Sequence, residues 1–182
     1  MAATSTLIDA YAIRRATPAD AETLARLGRA CNHETWIEDY RMPYAPAAFA
    51  AFLDRIFDVP ALEAALADHA QAFWLLEHDG QPIGYARAGP CTLPYPDVPP
   101  EDGELRWLYV RRPHQGGGTG GRLLDTALAW LERDGPRRIW LGVWSGNLAG
   151  QRFYARRGFR IVGDHSFVVG ETVDHEHAMR RG

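Results

Sequence analysis

Glu104-Leu105-Arg106-Trp107-Leu108-Tyr109-Val110, continuing as Arg111-Arg112-Pro113-His114-Gln115-Gly116-Gly117-Gly118-Thr119-Gly120-Gly121-Arg122, is the stretch that decides the fold. The first seven residues read as a strand, and Leu123, Leu124, Ala127, Leu128 and Leu131 put an apolar stripe on the helix that follows. Between them lie the glycines. A strand that passes through glycines into a helix is an anion cradle: the first N–H groups of a helix lack intrahelical partners and carry partial positive charge, and glycine lets a pyrophosphate approach them.

Working outward, Asp79-Gly80 sits between two apolar runs, residues 72–78 and 82–88, which signals a β-hairpin just upstream. Downstream, residues 138–144 read as a strand, 147–157 as a helix closed by Gly158, 159–162 as a strand and 172–180 as a last short strand. Nearer the start, residues 11–15 read as the first strand, and Thr17-Pro18-Ala19-Asp20 caps a helix through Leu24, Leu27 and Cys31 that should stop near Asn32. Helical stretches follow at 45–57 and 59–69. The aromatic and acidic segment between them, from His33 to Pro43, reads as a connection or a substrate rim, and the proline-rich residues 90–102 as a loop. This order predicts an α/β chain: one mixed sheet of about seven strands with helices on its faces, in a single domain over residues 11–182 after a mobile lead-in at 1–10.

The 182 residues are 46% hydrophobic and 24% charged, enough for a substantial core. A formal net charge of −3 gives no support to a nucleic-acid partner. No apolar run is long enough to span a membrane, and Cys31 and Cys91 form neither a disulfide framework nor a metal spacing, so a cytoplasmic protein is expected. No lysine occurs, which removes a Walker-type phosphate loop. Gly116, Gly118 and Gly121 also satisfy a dinucleotide fingerprint, but that reading needs an acid after the next strand, which ends Val143-Trp144-Ser145, and a parallel unit where the chain has a hairpin.

A different spacing in the same residues, Val110 with Gln115, Gly118 and Gly120, resembles motif A of the GNAT N-acetyltransferases, and Asn147, Ala149, Phe153, Tyr154, Gly158 and Phe159 resemble their motif B. Further segments (Trp36 through Gly84-Tyr85, Leu141 to Trp144 and Gly163 to Phe167) are similar to PaiA-type polyamine N-acetyltransferases. The resemblance implies a mostly antiparallel GNAT sheet with helices on both faces, acetyl-coenzyme A (acetyl-CoA) as cosubstrate without a metal, and direct acetyl transfer to a small primary amine in a ternary complex. It points to spermidine or spermine as acceptor, and homodimers are common among the related enzymes. The alternatives are a peptide, amino-acid or antibiotic amine as acceptor, or a coenzyme-A-binding regulatory domain without turnover.

By the same resemblance Leu108, Tyr109, Val110, Gln115, Gly116, Gly117, Gly118, Thr119, Gly120 and Asn147 would bind the cofactor, with the N–H near Leu108 facing the thioester carbonyl. Asn147 equally suits a helix cap. Tyr154 is the candidate general acid for the leaving thiolate, against a core role beside Phe153; Glu104 is the candidate general base, against a solvated strand end. Trp36, Glu34 and Trp144 are candidate acceptor residues, and Glu34, Glu38, Asp39, Asp97 and Asp102 could line an acidic groove. Arg111, Arg112 and Arg122 suit phosphates or solvent equally. His175 and His177 share a strand face without a third metal ligand. Ser145, Asp164 and His165 lack a nucleophile elbow, and neither cysteine has a reactive setting.

Overall fold

The computed structural model describes residues 11–96 and 98–182. The lead-in expected at residues 1–10, and Asp97, lie outside them.

Strand β1 (Tyr11–Arg15) leads through a short capped turn, Pro18–Asp20, into α1 (Ala21–Asn32). After α1 the chain does not leave the helix as its sequence suggests. It widens into a π-helical turn, His33–Asp39, whose signature is the bond from Tyr40 N–H to Thr35 C=O. Helices α2 (Pro46–Ile56) and α3 (Val59–Ala67) follow, then the hairpin of β2 (Ala72–His78) and β3 (Gln81–Pro90). Next come β4 (Gly103–Val110), α4 (Thr119–Leu131), β5 (Ile139–Trp144), α5 (Leu148–Ala155), β6 (Arg160–Val169) and β7 (Thr172–Arg181). Strand β6 runs seven residues past the expected end at Val162, since a bulge between Ile161 and Gly163 lets pairing with β7 resume.

The seven strands form one sheet in the order β1-β2-β3-β4-β5-β7-β6, and every neighbouring pair is antiparallel except β4 with β5. Strand β2 is apolar on both sides because both are covered. Trp74 and Leu76 pack with Leu123, Leu124, Ala127, Leu128 and Leu131 of α4, while Phe73 and Leu75 face Leu24, Leu27 and Cys31 of α1, Phe49 and Leu53 of α2, and Leu62 of α3. Burying each such side chain contributes roughly 1.5–3 kcal/mol. Helix α4 links β4 to its parallel neighbour, so the glycine-rich turn sits at the C-terminal end of β4.

Candidate active site

Strands β4 and β5 pair only at Gly103 with Ile139 and at Glu104 with Trp140, then separate. A bulge sets what β4 presents beyond that point: Leu105 pairs with Ala88 and Trp107 with Arg87, so Arg106 is the extra residue. The bond from Arg111 N–H to Ile83 C=O, 2.8 Å, fixes the phase of the next stretch. In an antiparallel pair these bonds alternate, so Tyr109 spends its backbone groups on β3, while Leu108 and Val110 turn theirs toward the side that β5 has left. Leu108 thus offers an amide to the opening, as its candidate role requires. Tyr109 does not; its ring instead stacks on Tyr85 at 5.4 Å and lines the cavity on the α1 face of the sheet.

The opening continues into the turn before α4. Gly116 and Gly118 adopt φ of 85° and 82°, the left-handed region that other residues enter at a cost. Gln115 is drawn back to β4 by its side-chain amide, which donates to Val110 C=O (2.8 Å), and the Thr119 hydroxyl donates to His114 C=O (2.9 Å). Those two bonds pin both ends of the turn. The first helical bond comes from Arg122 N–H to Gly118 C=O, and the N–H groups of residues 116–121 have no acceptor among the described residues. Unpaired amides at the start of a thirteen-residue helix are what a pyrophosphate requires. The residues present fit coenzyme A.

The separated strands open onto a cavity of about 590 Å³. The π-helical turn supplies one wall. Its aromatic side brings Trp36 and Tyr40 against Trp144 at the end of β5, with ring centroids 4.7–6.3 Å apart. The other side of the turn spends its acids on the arginines after β4: Glu34 on Arg111 (2.6 Å), Glu38 and Asp39 on Arg112 (3.1 and 2.6 Å). Glu34 is therefore in an ion pair and does not line the cavity, unlike Trp36 and Trp144. Asp102 is also outside it, buried and accepting from Trp140 Nε1 (2.7 Å). Asn147 lines the cavity and caps α5 through the Gly150 N–H (2.7 Å).

Tyr154 lines the cavity and packs beside Phe153 and Phe159, so it belongs to the core and to the site together. Burial, reinforced by Tyr40, raises the pKa of its phenol well above the ordinary value, so the hydroxyl keeps its proton. Glu104 is less free than its candidate role demands. Its Oε2 accepts from Thr92 N–H (2.7 Å), from Thr92 Oγ1 (3.1 Å) and from Arg106 Nε (3.3 Å), tying the loop after β3 to β4.

Sequence reading missed Glu176, and weighed His165 only as part of a hydrolase triad. Both line the cavity, face each other in register across β6 and β7, and approach to 3.4 Å between His165 Nε2 and Glu176 Oε2. That approach does not meet hydrogen-bond geometry, and neither ring nitrogen of His165, whose side chain is 6% exposed, has a hydrogen-bond partner among the described residues. Burial first, then the charges of Asp174 and Glu104, push the Glu176 carboxyl up to about 7. The signal was present: reading the strand through to Val169 and turning on Gly170-Glu171 brings His165 opposite Glu176. His177 pairs instead with Asp164, which dissolves the triad that could be drawn with Ser145. Burial pushes the Cys31 thiol up to about 12 and Cys91 up to about 11, and neither lines the cavity.

A half-open parallel seam, a phosphate-ready helix start and a buried phenol at one cavity define an acyl-transfer site built for a coenzyme A thioester. Residues 32–159 match the acetyltransferase (GNAT) family. The chain is 34% identical over 137 residues to an uncharacterized N-acetyltransferase of Mycobacterium tuberculosis, covering 75% of this chain and 83% of the relative. It is 28% identical over 142 residues to one of Lactobacillus delbrueckii subsp. lactis, covering 78% and 82%. The chain belongs to the GNAT family and is an N-acetyltransferase. In fold it is similar to the PaiA N-acetyltransferase of Thermoplasma acidophilum, solved with coenzyme A (TM-score 0.72, 20% identity, 94% and 98% of the two chains). It is also similar to a ribosomal-protein-alanine N-acetyltransferase of Brucella melitensis (TM-score 0.64, 21% identity, 93% and 98%). Two such names at comparable likeness mean that the fold alone leaves the acceptor open.

Proposed function

We propose that this enzyme transfers acetyl from acetyl-CoA to a primary amine of a small molecule, by direct attack in a ternary complex. The observation that carries this reading is one continuous line: free amides from residue 121 back to 116, then the N–H groups of Val110 and Leu108 on the side of β4 that β5 has left, ending in a partly acidic cavity. Acetyl-CoA would supply an activated acetyl thioester there. The amides of residues 116–121 hold the pyrophosphate, with the α4 N-terminus adding its field. Gln115 acts by fixing the turn, and Thr119 likewise. Leu108 N–H stabilises the oxyanion that develops on the carbonyl, an interaction worth about 3 kcal/mol. Tyr154, a protonated phenol on the cavity wall, delivers the proton to the leaving thiolate by its position. Cys31 and Cys91, with raised pKa values and no place on the cavity wall, do not support an acetyl-cysteine route.

The finer expectation, a polyamine acceptor, rests on the resemblance in the segments around the cavity. A polycation would need several free carboxylates, and Glu34, Glu38 and Asp39 are already paired with arginines. The test is calorimetric titration with acetyl-CoA, followed by thiol-release assays over polyamines, arylalkylamines, amino acids, aminoglycosides and peptides. Binding of acetyl-CoA with release of thiol on adding an amine supports the reading. Binding of NADH in place of acetyl-CoA would overturn it. Tyr154→Phe is expected to lower turnover about 10²-fold while leaving acetyl-CoA affinity nearly unchanged; full turnover would remove the acid role.

A further inference from the structure

Glu104 and Glu176 line the cavity, while Asp174 and Glu34 belong to elements that wall it without reaching the lining; three of these four carboxylates are engaged. Glu104 is strapped to Thr92 and Arg106. Asp174 is buried and accepts a hydrogen bond from the Tyr44 hydroxyl. Glu34 is held by Arg111. Glu176 has no arginine ion pair and no hydrogen-bond partner among the described residues; it lies 3.4 Å from Nε2 of His165, whose side chain is 6% exposed and whose ring nitrogens are unsatisfied. A buried histidine with both nitrogens unpaired is costly unless a ligand meets it.

Gly142 makes the room that this pair occupies. A Cβ built there would lie 2.7 Å from Glu176 Oε2 and 3.1 Å from His165 Nε2. Gly142 is on β5 just past the point where β4 leaves, so the gap over Glu176 opens onto the cavity that receives the thioester. The walls beyond are apolar and aromatic: Phe49, Phe52, Ile56, Trp107 and Phe167.

We propose that Glu176, positioned by His165 and faced by Gly142, binds the acceptor's ammonium group and takes its proton, and that the acceptor carries one ammonium on an apolar or aromatic body. This rests on the acetyl-transfer reading. One free carboxylate neutralises one ammonium; a second, set against the aromatic wall and Arg55, would be desolvated without a partner. The ammonium gives one proton to Glu176 and the freed amine attacks the thioester carbon. As the C–N bond forms and the C–S bond breaks, the thiolate takes the proton of Tyr154 and the second nitrogen proton passes through solvent to the Tyr154 phenolate, restoring it. The products are the amide, the free thiol and one proton passed from Glu176 to solvent. The charged and titratable groups facing Glu176 are His165 from β6, Glu104 from β4 with Arg106 paired to it, Asp174 on its own strand, and the phenols of Tyr44 and Tyr109. Arg55 of α2 and Tyr154 of α5 line the same cavity.

The experiment compares wild type, Glu176→Gln, Glu104→Gln and His165→Asn, each titrated calorimetrically with acetyl-CoA. Each is then assayed from pH 5 to 9.5 with phenethylamine and spermidine. Wild-type kcat/KM for phenethylamine should exceed that for spermidine at least tenfold, rising to a plateau with a midpoint near 7. Glu176→Gln should bind acetyl-CoA as wild type does, lose about 10²-fold in kcat/KM at pH 7, and replace the limb near 7 by a climb toward the amine's own pKa of about 10. His165→Asn should move the midpoint; Glu104→Gln, which removes one of the charges that raise it, should lower the midpoint while keeping the limb itself. An unaltered profile in Glu176→Gln overturns the assignment of the base, and a preference for spermidine overturns the single-ammonium acceptor. If wild type binds acetyl-CoA but acetylates neither amine, the acceptor class is wrong while the transfer reading stands; if it binds no acetyl-CoA, both fall.

Discussion

Glu176 is a carboxylate whose burial has a sign that can be measured. Its native pKa, near 7, stands above the 4.5 of a free glutamate. Below pH 4.5 both folded and unfolded chains hold the proton and the stability from the raised pKa is fully present. Between 4.5 and 7 the unfolded chain releases the proton first, so that stability declines as pH rises, by roughly 3 kcal/mol in total. Urea unfolding of Glu176→Gln and wild type should show the variant gaining relative stability from pH 4.5 to 8; a constant difference would mean that the native carboxyl is not shifted. Gly142→Ala tests the same place by shape. The added methyl displaces the Glu176 carboxylate, a movable side-chain end, so KM for the acceptor should rise about tenfold while acetyl-CoA affinity is retained. Gly118→Ala should do the reverse, since its left-handed φ of 82° shapes the turn that holds pyrophosphate. Calorimetry with acetyl-CoA separates the two.

At the scale of elements, the π-helical turn His33–Asp39 does two jobs with its two sides. Its wider winding is anchored by Asn32, whose Nδ2 donates to Gly28 C=O (2.8 Å) and to the Tyr85 hydroxyl (3.2 Å), while its Oδ1 accepts from Trp36 Nε1 (3.2 Å). This turn was legible only in composition. Aromatic and acidic residues marked it as special, but which side each would take depends on Tyr85 and Trp144, residues distant in sequence. By contrast the β2–β3 hairpin, the first strand and the glycine-rich turn were legible because turn chemistry and capping are local. Asn32→Ala should free the turn: the Trp36 indole loses its acceptor, the Tyr85 hydroxyl is left unpaired, and stability should drop by about 1–3 kcal/mol in denaturant unfolding. Acetyl-CoA affinity should be nearly retained, because no amide of residues 116–121 is touched.

Across the whole molecule, the sheet joins two blocks. Strands β1 to β4, backed by α4 on one side and by α1, α2 and α3 on the other, form the first; β5, β7 and β6 form the second. The order and type of most elements were readable because apolar periodicity switches cleanly between strand and helix along the chain. The extent of β6 was not, for a bulge interrupts its period, and with it went the facing of His165 and Glu176. Leu124, fully buried under the first block, is a control for global stability: Leu124→Ala should cost about 2–5 kcal/mol and lower the urea midpoint at an unchanged m-value.

The two rungs between β4 and β5 also bear on how the protein moves. With so few backbone bonds across the seam, the blocks are held there chiefly by α4 and by side chains, and the bare edges of both strands act as a zip left undone. A ligand arm with its own amides would close it as a surrogate strand. Amide exchange at Leu108 and Val110 should therefore slow markedly when acetyl-CoA is added, while Tyr109, already bonded to β3, stays protected throughout.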